Sequence, residues 1–172
     1  MQVAGFWDFD AERGLENAVN INSACDYIVL KVKQAGESLN LLKLQKLLYY
    51  AQAWHLAFYG ERLFVGKFQA WIHGPVNREI YDRFVGSKSL YSEVNEEDIE
   101  AGFNIEAVPE EQRNHIDRVL EVYAKFRGSQ LEEMSHGETP WIEARMGYRP
   151  TERCENEINE ESMRRYYANR VA

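Results

Sequence analysis

Apolar residues in this chain recur mostly at helical spacing, and one stretch carries more of them than a single helix face can hold. From Leu41 to Tyr59 the sequence reads LLKLQKLLYYAQAWHLAFY. Leu44, Leu47, Leu48, Ala51, His55 and Phe58 fall on one stripe, which Tyr50, Trp54 and Ala57 widen. Gln45, Tyr49, Gln52, Leu56 and Tyr59 form a second stripe of mixed polarity. Asn40 is the expected N-cap and Gly60 the expected stop. Lys43 and Lys46 are the positions expected in solvent. A helix apolar on most of its faces must be enclosed by other elements or by a partner. The pattern therefore predicts that this helix is the centre of the fold.

Weaker signals flank it. A first helix is predicted from Asn22 or Ser23, with Ala24, Tyr27 and Ile28 inward and Gly36 at its end. Leu63 to Val65, the Gly66-Lys67 pair and Phe68 to Ile72 read as a small β-hairpin near residues 63–72, because Gly-X suits a tight turn. His73-Gly74-Pro75 then turns the chain, and Pro75 is expected to open a third helix carrying Val76, Ile80, Tyr81 and Phe84. Residues 87–109, with Glu93, Glu96, Glu97, Asp98 and Glu100, read as a solvated acidic loop. A fourth helix starts at Pro109-Glu110 and ends at Gly128. Ser129 caps a fifth, Thr139-Pro140 opens a sixth, and the last starts at Asn159 or Glu160. Residues 1–20 are an irregular lead-in whose Phe6, Trp7 and Phe9 would help to pin it to the core. The expectation is a mainly α fold, a single compact helical domain over residues 21–170 with one small hairpin.

Composition changes this picture little. The chain has 172 residues, of which 45% are hydrophobic, enough for one packed core. Its 28 acidic against 20 basic residues give a net charge of −8, which disfavours contact with a phosphate backbone. Direct DNA binding is not expected. Cys25 and Cys154 are far apart and belong to no metal or redox motif. No apolar run is long enough to span a bilayer, and the start carries acids where a secretory signal would be apolar. A cytoplasmic protein with reduced thiols is the resulting expectation.

Catalytic signals are missing. His55, His73, His115 and His136 form no metal-ligand spacing, and neither cysteine sits in a nucleophile motif. His55, on an apolar stripe, reads as a buried histidine with one hydrogen bond. No cofactor or metal is implied. The chain reads as a recognition protein; an enzyme of unknown chemistry is the remaining alternative.

Three segments carry a resemblance: LLKLQKLLYYAQAWHLAFYGERLF, AWIHGPVNREIYDRF and SHGETPWIEAR. Together they closely resemble the Panacea-domain family of SocA-like and GepA-like antitoxins, over about residues 23–167. The resemblance implies an antitoxin that binds a cognate toxin protein directly and silences it. It also implies a second possibility, a proteolytic adaptor that hands its toxin to an ATP-dependent protease. Some family members carry an extra DNA-binding domain, for which the roughly 20 residues before the first helix leave no room. Within the matching segments, Lys46, Tyr49, Gln52, Trp54, Trp71, His73, Gly74, Pro75, Arg78, Tyr81, His136 and Trp141 are the candidate partner-binding residues. Such anchors are typically aromatic or Arg. An acidic inhibitor would also meet a basic toxin site by charge complementarity.

Overall fold

The computed structural model describes residues 17–171; the reading of Phe6, Trp7 and Phe9 lies outside them. Seven helices and one two-stranded antiparallel sheet are present among these residues. In chain order they are α1 (Ile21–Gln34), α2 (Leu41–Tyr59), β1 (Phe68–Trp71), β2 (Gly74–Asn77), α3 (Arg78–Phe84), α4 (Glu110–Tyr123), α5 (Gly128–His136), α6 (Thr139–Ala144) and α7 (Glu160–Ala168). The mainly α fold class with a small hairpin is what the structure shows.

Helix α2 is the hub. Fifteen of its nineteen residues are buried, and α1, α4, α5, α7 and β2 all pack on it. The Asn40 side chain accepts from the Lys43 amide at 2.8 Å, and Gly60 ends the helix at φ 66° in the left-handed region. Its lysines depart from expectation. Lys43 is 3% exposed and Lys46 is fully buried. Because residues 41–53 of α2 are buried on every side, no solvated stripe is left for them. Lys43 Nζ instead donates to the carbonyls of Ser38 at 2.9 Å and Ala124 at 2.5 Å, so burial is matched by hydrogen bonds.

The two glutamines of α2 act alike, two helical turns apart. Gln45 accepts from the Asn77 amide and donates to the Asn77 carbonyl, at 2.9 and 3.1 Å. Gln52 accepts from the amides of Leu63 and Phe64 and donates to the Phe64 carbonyl. Each side-chain amide thus completes the backbone of an extended segment as a neighbouring strand would. This explains the glutamines of the mixed-polarity stripe: they face backbone, not water.

The hairpin lies later than its predicted place, at residues 68–77. Phe64 forms only an isolated bridge with Val19, and Pro75 sits in β2 opposite Ala70, not at the start of α3. The pair Ala70–Pro75 is one whose backbone groups point away from the partner strand. The Ala70 amide donates outward to the Asn156 carbonyl, so the missing proline N–H costs the ladder nothing. Helix α3 starts instead at Arg78, capped by the Asn77 side chain, which accepts from the Ile80 amide. Gly128 opens α5 where it was expected to close α4; a Cβ there would lie 3.0 Å from Asn40 Oδ1 and 3.1 Å from the Lys43 amide.

The acidic segment is docked more firmly than its composition suggests. Val94 and Val108 are buried in the core. The Val94 amide donates to the Leu39 carbonyl, and Leu41 and Leu42 donate to the carbonyls of Ser92 and Leu90. Lys88 pairs with Asp98 at 3.2 Å. Arg83 reaches the Asp98 carbonyl at 3.0 Å while holding the buried carboxylate of Asp26 at 2.6 Å. The basic partners that composition failed to show come from α3 and the turn after it.

Candidate functional site

The three motif segments meet at one place, where α2, the hairpin and the α5–α6 corner pack together. Gly74 makes the closest approach. Its φ is +93°, and a Cβ there would lie 2.6 Å from Lys46 Cε and 2.8 Å from Ser135 Oγ. Lys46 Nζ donates to the Pro75 carbonyl at 3.0 Å. Lys46, Gly74 and Pro75 are therefore one internal packing unit. Burial pushes the Lys46 amine down to about 7, partly offset by the charge of Glu132.

Beside this unit, Glu138 anchors a second polar cluster. Its Oε1 accepts from the hydroxyls of Tyr50 at 2.6 Å and Tyr167 at 3.0 Å, and the Tyr49 hydroxyl lies 3.3 Å from that of Tyr167. Burial raises the Glu138 carboxyl above the usual carboxylate range. Tyr123 stacks on Tyr50 at 4.2 Å between centroids. Glu138 precedes the Thr-Pro-Trp of the third motif, and nothing in its local pattern marked it as a core residue.

Trp141 ties α6 to the hairpin. Its indole N–H donates to the Trp71 carbonyl at 3.0 Å, and the His136 ring stacks on it at 4.2 Å. Arg145, another residue that local pattern did not reveal, donates from inside to the Ala70 carbonyl at 2.8 Å and stands over the Trp141 ring. His73, at the exposed tip of the hairpin, bonds Glu132 through Nδ1 at 2.5 Å.

The outer side of the same junction is a groove of about 460 Å³ between the hairpin, α3 and the turn after it. Trp71 and Tyr81 meet edge to face at 4.9 Å on its wall. The Arg78 guanidinium lies 5.7 and 5.6 Å from their centroids. Val76 and the exposed Val85 extend the apolar lining, and Arg153 stands at the rim. Both edges of the hairpin are already occupied. Residues 156–158 pair with β1 through Asn156, Glu157 and Ile158, and Gln45 and Lys46 meet the carbonyls of β2. The groove therefore offers side chains, with no free strand edge.

The twelve candidate residues divide accordingly. Trp71, His73, Arg78 and Tyr81 line the groove. Lys46, Tyr49, Gln52, Gly74 and Pro75 are buried beneath or away from it. Trp141 and His136 stand behind the hairpin. Trp54 does not line the groove; it is half-buried, donates to the Tyr123 hydroxyl at 2.8 Å and stacks on the exposed Phe58. A larger and more polar depression of about 760 Å³, lined by His55, Tyr59 and Glu110 among others, involves none of the twelve. His55 itself is a buried histidine bonded through Nδ1 to the Glu61 carbonyl at 2.6 Å. Among the described residues no group of three or more His, Cys, Asp or Glu side chains is placed to hold a metal ion, and no helix is long and apolar enough to cross a membrane.

Comparison with known proteins agrees with the motif pattern. Residues 44–142 match the family described as antitoxin SocA-like, Panacea domain. Antitoxin SocA of Caulobacter vibrioides (strain NA1000 / CB15N) is 32% identical over 130 residues, covering 72% of this chain and 69% of that protein. No solved structure matches the chain. The chain belongs to the SocA-like Panacea family of antitoxins.

Proposed function

We propose, from membership of this antitoxin family, that the chain silences a cognate toxin protein by binding it directly, and that the toxin docks over the groove between the hairpin and α3. The observation that carries the reading is the placement of Trp71, Arg78 and Tyr81. The family-matching segment buries Tyr49, Tyr50, Phe64, Phe68 and Trp141 in the core, yet it leaves Trp71, Arg78 and Tyr81 together on one open wall. Aromatic and Arg side chains in a partly enclosed, apolar site are the usual anchors of a protein interface. A stable interface covers roughly 800 Å² per partner, so the groove would be its centre and the surrounding rim its border. The role is binding, with no bond made or broken by this chain.

Co-expression tests this. Each reading frame flanking the gene is expressed alone and together with this chain. Toxicity that the chain relieves, with the two proteins recovered as one complex, supports direct neutralisation. A toxic neighbour that stays toxic in its presence overturns it. Relief accompanied by disappearance of the toxin, restored when ATP-dependent proteases are deleted, marks the adaptor alternative instead.

A further inference from the structure

We propose that the groove receives an acidic segment of the partner carrying one or two bulky apolar side chains; this rests on the toxin-binding reading and names the chemistry of the toxin's docking segment. The groove is apolar at its base and cationic at its rim. Arg78 and Arg153 both direct guanidinium groups at a single carboxylate oxygen, Glu155 Oε1, at 3.3 and 2.8 Å. One oxygen between two guanidiniums leaves most of their N–H donors without a carboxylate. Arg153 is 81% exposed and Arg78 50% exposed at the side chain, so both are open to a partner. Asp82, the other acid on Arg78, is 3.5 Å away and lies mostly in solvent. The other basic side chains nearby are already engaged, Lys88 with Asp98 and the Glu93 carbonyl, and the His73 ring with Glu132.

The groove lining carries Arg78, Lys88 and Arg153 against Glu155, a balance opposite to that of the chain as a whole, whose net value is −8. Net charge alone pointed to a basic toxin surface; the groove calls for the reverse at the point of docking. A basic segment would be pressed against two guanidiniums, a like-charge arrangement that interfaces avoid. A carboxylate would take the unused donors in the bidentate geometry that Arg favours. The volume of about 460 Å³ suits one or two large apolar side chains against Trp71, Val76 and Tyr81. Since both hairpin edges are closed, recognition proceeds through those side chains and not through strand addition.

The test uses the full chain and the toxin identified by co-expression. The photo-crosslinking residue p-benzoylphenylalanine is placed at Val85, an exposed groove position, the complex is irradiated, and the captured toxin peptide is sequenced by mass spectrometry. The expected peptide contains a bulky apolar residue flanked by Asp or Glu. In parallel, the Arg78→Gln, Arg153→Gln double variant is expected to bind the toxin about tenfold or more weakly, with unchanged thermal unfolding. A complex that crosslinks only outside the groove, or captures a basic or uncharged segment, overturns the inference and leaves neutralisation standing. An unchanged affinity in the double variant overturns it equally. Failure of the wild-type chain to form any complex overturns the binding reading, and this inference with it.

Discussion

The inner and outer sides of the motif junction are built from the same kinds of residue and do opposite things. Inside, Lys46, Tyr49 and Tyr50 are sealed against water, Glu138 is partly buried beside them, and their polar atoms are bonded to one another or to backbone. Outside, Arg78, Trp71 and Tyr81 form a cation-and-aromatic cluster of similar composition that stays open. The difference lies in what covers each one. Helices α5, α6 and α7 close the inner cluster, whereas only the turn after α3 and the Arg153 segment border the outer one. Residue type within a motif therefore does not reveal whether the residue serves the core or an interface.

The sharpest way to break this contrast is to disturb the seal. Gly74→Ala forces a side chain at φ +93° and into Lys46, whose own burial leaves it nowhere to go. A stability loss of about 3 kcal/mol in urea unfolding is expected, with part recovered when Lys46→Ala is added, since the two side chains then no longer collide. A loss near zero for the single variant would mean that the junction is loose.

Lys46 supplies a second test, through pH. Its folded-state value of about 7 lies below the ordinary 10.5, so between these values the unfolded chain holds more protons than the folded one. Stability should therefore rise with pH through that window, by roughly 1 kcal/mol per unit, relative to Lys46→Met. Parallel stability curves for the two proteins from pH 7 to 9 would show that the amine is solvated after all.

On the open side the readout changes from stability to affinity. Trp71→Ala and Tyr81→Ala should each weaken toxin binding by about 2 kcal/mol, measured by calorimetry, while Tyr49→Phe leaves affinity unaltered. Weakening by Tyr49→Phe with folding intact would move the interface to the inner cluster. The effect confined to acid concerns His115, which is buried and bonded to the Ala51 carbonyl at 2.8 Å. Burial lowers it to about 4. The unfolded chain takes up its proton first as pH falls below about 6.5, so stability should drop between pH 6.5 and 4, by about 3 kcal/mol. His115→Gln should flatten that limb in acid-titration unfolding.

Much of the fold was legible in order of element, because apolar periodicity and capping residues are local signals. Asn40 and Gly60 bound α2 as read. Asn159 caps α7, and Thr139-Pro140 opens α6. The errors came where a local signal had two meanings. Pro75 suits a helix start or a strand position that donates nothing, and only pairing with Ala70 decided between them. Gly128 suits a helix end or a close approach of two helices, and the nearness of Asn40 decided that. Of the candidate site residues, Trp71 and His73 on the hairpin and Arg78 and Tyr81 on α3 came out on the surface, whereas Gly74 and Pro75 of β2 are buried. Those on α2 did not, because a single stripe cannot reveal how many neighbours surround it.

The amino-acid sequence by itself determined the helical framework, the dominance of α2 and the family signature, since each rests on spacing within a few turns of chain. Tertiary structure decided which lysine is dry, which tryptophan is open and where the charge of the groove departs from the charge of the chain. Burial and electrostatic surroundings are set by residues distant in sequence, such as Glu132, Ser135 and Glu155 around Lys46, Gly74 and Arg78, and no local pattern encodes those distances.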